Sequence, residues 1–311
     1  MLQHKELRMT QYNIPTKKLR MGFELPVLGL GTWMMGGDIN RDPNNNDAAD
    51  IKAIETAIDF GITHIDTAEI YAAGFAEKIT GQGIKKFDRK TLTIASKIPP
   101  QNQRHDDLLR NLDASLERLE TDYLDIYYLH QPSLEIPLEE TAKALNKAVK
   151  DGKVKHVAVS NFNPERLDRL QALLDTKIVA NQLHYNLVFR EPAHKGVLEH
   201  CIEKDYLLVA WRPIRFEKRG NPNAPHKNVW EQGAYPLLDE ISAKYKKSNV
   251  QTAINWVIGQ PNVVTLVKSS KPANLLECIS AIDWKLSDED IERLKREFPG
   301  QESVSDTVPM A

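Results

Sequence analysis

The chain has 311 residues, 41% hydrophobic and 27% charged, with a formal net charge of -2. That is an ordinary globular composition, and so small a charge leaves no global basic field for nucleic acid or an anionic membrane surface. No apolar run nears the roughly 18 residues of a membrane span, residues 1–7 lack the apolar core of a secretory signal, and Cys201 and Cys278 lie too far apart for a Cys-x-x-Cys; a cytoplasmic protein without nucleic-acid or membrane partners is expected.

In chain order, residues 1–26 read as an N-terminal β-hairpin, with limbs Arg8–Tyr12 and Lys18–Met21 around Asn13-Ile14-Pro15, placed to plug a barrel bottom. Val27–Thr32 is a strand, and Asp47–Phe60 a helix capped by Asp47 and ended before Gly61. Strand Ile62–Thr67, helix Phe75–Lys86 and strand Leu92–Lys97 follow. Helix Asp106–Leu119 carries Leu108, Leu109, Leu112, Leu116 and Leu119 on one face. Next come strand Tyr123–His130, helix Leu138–Lys150, ending at Asp151-Gly152, and strand Val154–Ser160. Helix Pro164–Leu174 has Asn163 as N-cap and Pro164 at its first position. Strands Ile178–His184 and Tyr206–Trp211 flank helix Ala193–Lys204; the polar stretch Glu217–Glu231 reads as a loop on the active-site side. Helix Val250–Ile258, strand Val263–Val267, helix Ala273–Ala281 and an extra C-terminal helix Ser287–Glu297, with a capping serine and acidic first turn, complete the pattern. About eight strand–helix units predict an α/β fold, a (β/α)8 TIM barrel in one domain over 1–311, with an open doubly wound sheet as the alternative.

Polar residues stand at the ends of runs that should be wholly apolar in a buried parallel strand. They are Asp66, Lys97 and His130, with Tyr71 shortly after Asp66. In a parallel barrel the C-terminal strand ends face the active site, so residues of acid/base type from successive units point to one site. Singly, each has a plainer reading: Tyr71 as half-buried packing, Lys97 as a solvated strand end, His130 as a turn residue before Gln131-Pro132, Asp66 as a cap.

Further segments occur in a telling order: Gly29-Leu30-Gly31-Thr32-Trp33, Asp66-Thr67-Ala68 with Tyr71, Ser96-Lys97, Tyr128-Leu129-His130, Val159-Ser160-Asn161-Phe162, Asn181-Gln182 and Lys268-Ser269. Together they resemble the aldo-keto reductases over nearly the whole chain. The resemblance implies NAD(P)H-dependent reduction of an aldehyde or ketone. Tyr71 would give the proton, and Lys97, paired with Asp66, would lower its pKa of about 10. His130 would hydrogen-bond the carbonyl oxygen. Trp33 would line the substrate site, with Tyr127, Tyr128, Phe162 and the loop Phe216 to Trp230 as further walls. The polar loop points to small aldehydes, sugars or α-keto compounds as substrate.

Gly29-Leu30-Gly31-Thr32-Trp33-Met34 breaks the dinucleotide fingerprint at its third glycine, so a Rossmann site is not expected. The resemblance implies a dinucleotide at the barrel mouth, near Thr32, with Ser160, Asn161 and Gln182 on the nicotinamide carboxamide. Trp211 would stack on the nicotinamide in place of a common Tyr. Arg212, in place of a usual Ser, or Arg215 would meet the pyrophosphate. Lys268, Ser269 and Ser270 match groups that hold a 2′-phosphate, and Glu277 matches an adenine-side residue. Asn274 stands where an Arg is common and Cys278 where an Asn is; Lys271 can compensate for the lost cation. NADP(H) is expected, with NAD(H) open. The alternatives are a non-catalytic NADP(H)-binding regulatory subunit of the same fold and an unrelated barrel lyase or isomerase using Lys97 as a Schiff base; the intact Asp66, Tyr71, Lys97 and His130 argue against the first. The natural substrate, physiological direction and oligomeric state stay open.

Overall fold

The computed structural model describes residues 11–216 and 228–311. Eight parallel strands close into a barrel in chain order: β3 (Leu28–Gly31), β4 (His64–Asp66), β5 (Thr93–Ile98), β6 (Leu124–Leu129), β7 (Val154–Ser160), β8 (Ile178–His184), β9 (Leu207–Trp211) and β10 (Val263–Val267), with β10 pairing back onto β3. The strands are buried on both faces, as their continuous apolar runs require. The register sets Asp66 beside Gly31 and Ala95, Lys97 beside Tyr128, Ser160 beside Gln182, and His184 beside Trp211. The polar strand-end residues therefore gather at the C-terminal mouth. The barrel is the (β/α)8 architecture expected, and the open sheet is excluded.

The opposite end is closed by the hairpin β1 (Thr16–Lys18) and β2 (Glu24–Pro26). Leu19, Phe23 and Leu25 pack in one buried cluster with Ala95, Ile126, Tyr128, Ala158, Val209, Val264 and Leu266 of the barrel. The plug is as expected, but the turn is not at Asn13-Ile14-Pro15. The chain reverses between Lys18 and Glu24, where Leu19 N–H donates to Phe23 O at 2.8 Å and Gly22 takes a left-handed φ of +96° that glycine adopts freely. Pro15 lacks the N–H and leads into the strand instead. Residues 8–10 of the expected first limb lie outside the described residues.

The helices sit outside the barrel: α1 (Asp47–Asp59), α2 (Phe75–Ile84), α3 (His105–Leu119), α4 (Leu138–Lys150), α5 (Pro164–Gln171), α6 (Glu191–His194), α7 (Val197–Lys204), α8 (Pro236–Tyr245), α9 (Asn249–Gly259), α10 (Pro272–Ile279) and α11 (Asp288–Glu297). Asn163 caps α5 and Ser287 caps α11, as their sequences predict. The cap of α1 is Asn46, whose Oδ1 accepts from Ala49 N–H at 3.1 Å, so Asp47 is the first helical residue. The single helix expected over 193–204 is two, divided where Gly196 turns left-handed. Helix α8 has no counterpart in the sequence reading, and 217–227 of the expected polar loop lie outside the described residues. Gly29 has a steric purpose: a Cβ there would run into the His64 imidazole, which is itself fully buried.

Candidate active site

Lys97 organises the mouth. Its ammonium is fully buried and donates to Asp66 Oδ1 at 2.5 Å, to Thr67 O at 2.7 Å and to the Tyr71 hydroxyl at 3.4 Å. Burial disfavours the ammonium, but the charge and hydrogen bond of Asp66 outweigh it and hold Lys97 above its ordinary pKa. The other Asp66 oxygen accepts from Gln182 Nε2 at 2.8 Å. Both carboxylate oxygens are thus engaged, one from the neighbouring strand β5 and one from β8 across the barrel.

Tyr71 begins a tight turn, Tyr71–Gly74, after β4. Ala72 and Ala73 stand at φ of 49° and 53°, a left-handed region that costs about 1–2 kcal/mol per residue with a Cβ. The conformation is held from outside: Ala72 and Ala73 N–H donate to Asp38 O and Ile39 O, both at 2.7 Å. The Tyr71 ring meets Trp33 edge-on at 4.8 Å and His130 at 5.6 Å. Burial pushes the Tyr71 pKa up; Lys97, and more weakly Arg212, pull it down without overcoming burial. Lys97 thus lowers the Tyr71 pKa as expected, but burial and the Asp66 charge raise it by more, and the phenol is held protonated. His130 lies well below its ordinary pKa through burial and the nearby Lys97 charge, so its imidazole is neutral. Its Nδ1 finds no partner among the described residues.

These groups open into a cavity of about 970 Å³ that runs from Trp33, Tyr71 and His130 past Ser160, Asn161, Gln182, Trp211 and Arg212 to Lys268, Asn274, Glu277 and Cys278. Asn161 takes the left-handed φ of 64° that asparagine tolerates. Its Nδ2 donates to His130 O and to Ser160 Oγ, both at 3.0 Å, and Ser160 Oγ donates to Gln182 O at 2.8 Å. Asn161 Oδ1 remains a buried acceptor with no partner among the described residues. An acceptor at that place, beside an indole and with cations farther along the cavity, fits a nicotinamide dinucleotide: the carboxamide NH2 supplies the missing donor. Trp211 stacks on His184, and the Arg212 guanidinium lies 5.2 Å from the Trp211 ring centroid and donates to Thr307 Oγ1 at 2.8 Å. Lys268 is exposed at the cavity rim, and desolvation by the surrounding protein lowers its pKa against the pull of Asp50.

Not every expected residue reaches the cavity. Thr32 is fully buried, with its N–H on Asp66 O at 2.9 Å, and is structural support for β4. Ser269 and Ser270 do not line the cavity, and Ser269 Oγ accepts from Lys271 N–H at 3.0 Å in the turn before α10. Tyr127, Tyr128 and Phe162 are fully buried, so they belong to the core and form no substrate wall. The walls near Tyr71 that the sequence reading missed are Met34, Ile39, Ile70 and Val308. Val308 carries no sequence signal, since it follows the last strand by a long stretch outside the repeat. Cys201 and Cys278 are buried free thiols, and burial pushes the Cys278 pKa up to about 12.

Comparison with known proteins agrees with this geometry. The chain is 32% identical to the glyoxal reductase of Bacillus subtilis (strain 168) over 284 residues, covering 90% of this chain and 91% of that one. It is 30% identical to the methylglyoxal reductase YeaE of Escherichia coli (strain K12), covering 88% and 92%. Among solved structures, it matches a thermostable aldo-keto reductase, Tm1743, in complex with the inhibitor epalrestat, with a TM-score of 0.83 and 38% identity over 91% of this chain and 99% of that one. It also matches an aldo-keto reductase from Klebsiella pneumoniae in complex with NADPH, with a TM-score of 0.80 and 29% identity over 94% and 98%. The model of the aldo/keto reductase family matches residues 27–297, and with the barrel and the joined Asp66, Tyr71, Lys97 and His130 in place, the chain belongs to that family.

Proposed function

We propose that the protein reduces small aldehydes or ketones with NADPH, with Tyr71 as the proton donor. The observation that carries this is the buried Lys97, which joins Asp66 at 2.5 Å to the Tyr71 hydroxyl at 3.4 Å. The chemistry that NADPH supplies when bound is a hydride for the carbonyl carbon. The protein's own part is to meet the charge that grows on the carbonyl oxygen. The Tyr71 phenol, kept protonated by burial, gives its O–H proton to that oxygen. The Lys97 ammonium then stabilises the phenolate left behind, and Asp66 keeps Lys97 charged and in place. The neutral His130 holds the carbonyl oxygen through a ring N–H. Ser160, Asn161 and Gln182 orient the carboxamide, Trp211 supports the ring, and Arg212 and Lys268 face the phosphates. The lost second cation at Asn274 leaves NAD(H) as a weaker option.

The wall of Trp33, Met34, Ile39 and Ile70 is apolar, with Met34 and Ile39 exposed at its rim. The glyoxal and methylglyoxal reductases among the relatives support small α-dicarbonyl compounds as the first substrates to test. Methylglyoxal, glyoxal and simple aldehydes are offered with NADPH, and nicotinamide absorbance is followed for the wild type and Tyr71→Phe. The wild type turns over; Tyr71→Phe loses about 10²–10⁴ in kcat while binding NADPH normally. Equal turnover by both removes Tyr71 as the acid. Tight NADPH binding with no carbonyl reduced supports the non-catalytic binding subunit instead.

A further inference from the structure

His184 is a strand-end residue that the proposed proton transfer does not use. It is buried at the end of β8, two places beyond Gln182, the residue that meets Asp66. Its ring lies parallel to Trp211, with centroids 4.2 Å apart and planes at 13°, and its ring is also stacked with Phe189 at 4.4 Å and 26°. Trp211 thus reaches the cavity as the last member of a three-ring column. The column is tied to the segment 302–311. His184 Nδ1 lies 2.8 Å from Ser305 Oγ and 3.6 Å from Asp306, and Asn186 Nδ2 approaches His184 Nε2 at 3.4 Å. Ser305 Oγ already accepts Val308 N–H at 3.2 Å and Thr307 N–H at 3.3 Å, so its own O–H is left to donate to His184 Nδ1.

That segment is itself fixed around the site. The buried Glu191 carboxylate accepts Ser305 N–H at 3.0 Å and Met310 N–H at 3.1 Å. Ala311 N–H donates to Asn161 O at 3.0 Å, and Asn163 N–H donates to Ala311 O at 3.1 Å. Thr307 takes the Arg212 guanidinium. The same short segment therefore touches Asn161, Arg212 and, through His184, Trp211.

We propose that His184 is a positioning residue for the nicotinamide end of the cofactor: it sets the plane of the Trp211 indole, and Ser305 sets His184. This rests on the reading of Trp211 as the nicotinamide support. A flat ring left without its neighbour regains rotamer freedom that binding must then remove. Parallel aromatic pairs contribute roughly 0.5–1.5 kcal/mol beyond burial, and the corresponding change in affinity is about two- to thirteenfold, with three- to tenfold in its middle.

The test compares two ligands on His184→Ala, His184→Phe and Ser305→Ala: NADPH, and 2′-phospho-ADP-ribose, which lacks the nicotinamide. His184→Ala is expected to raise the Kd for NADPH about three- to tenfold while leaving that for 2′-phospho-ADP-ribose within about twofold. His184→Phe, which restores a ring, brings NADPH back to within about twofold of the wild type. If His184→Ala does not fold, Ser305→Ala gives the same reading, with NADPH weakened at least about threefold and the fragment held within about twofold. A folded His184→Ala that binds NADPH as the wild type does, or that weakens both ligands equally, overturns the proposal, as does an unchanged Ser305→Ala when it stands in. A wild type that binds 2′-phospho-ADP-ribose no more weakly than NADPH overturns the nicotinamide reading of Trp211 on which the proposal rests.

Discussion

At the residue scale the site is an ion pair put to use. Lys97 and Asp66 are both buried, so neither charge is affordable alone. Lys97→Met leaves the Asp66 carboxylate with Gln182 as its one remaining side-chain donor among the described residues, and stability should fall by about 3–5 kcal/mol, read from urea midpoints. The double variant Asp66→Asn, Lys97→Met should recover a large part of that loss while staying inactive, because the bare charge is gone but so is the support for the Tyr71 phenolate. A double variant no more stable than Lys97→Met would mean that packing, and not the charge, dominates the cost. Asp66, Tyr71, Lys97 and His130 were legible in the sequence because polar groups in otherwise apolar strand ends need a reason. The same criterion could have singled out His184, which also ends a strand. Thr32 and Ser269 show the limit of motif matching: Thr32 is sealed inside the barrel, and the Ser269 hydroxyl accepts from Lys271 N–H in the turn before α10.

At the element scale the two barrel ends divide the labour. Leu25 of β2 is fully buried in the plug, at the end away from the mouth. Leu25→Ala should lower stability by about 2–5 kcal/mol through the cavity it leaves. Its kcat, measured well below the melting temperature, should stay within about twofold of the wild type, as separation of the stability face from the catalytic face requires. A kcat loss of tenfold in a folded Leu25→Ala would contradict that separation. Helices with strong periodicity or clear caps, such as α3, α4 and α11, were legible to within a residue or two. The hairpin turn was not, because Lys18–Met21 reads equally as a strand and as the approach to the left-handed Gly22. Helix α8 escaped notice beside the polar stretch, and the break at Gly196 depends on one backbone conformation that glycine permits but does not require.

At the scale of the whole molecule, the barrel stores several neutral histidines. Burial lowers His64 to about 4 and His184 to about 3, and His130 also lies well below its ordinary value. Between pH 6.5 and those folded values, the unfolded chain binds protons that the folded chain does not. Stability therefore falls as pH drops below about 6.5, by up to about 1.4 kcal/mol per pH unit for each histidine, and this contribution is absent above that range. Urea unfolding at pH 7, 6 and 5 should show the decline before carboxylate protonation sets in. A constant unfolding free energy from pH 7 to 5 would show that these imidazoles are not held neutral.

The sequence by itself determined the barrel class and most of the order of strands and helices, which rest on local periodicity, and it marked Asp66, Lys97 and His130 as polar groups at buried strand ends, with Tyr71 close behind. Only the tertiary structure decided which residues share the cavity, because that depends on how eight strands tilt and close. It brought Gln182 onto Asp66 and Val308 to the wall of the cavity, and it buried Tyr127, Tyr128 and Phe162. It also set the sign of the Tyr71 shift: the sequence names the lysine beside the phenol, but how far burial outweighs that charge is fixed only once the chain has closed around both.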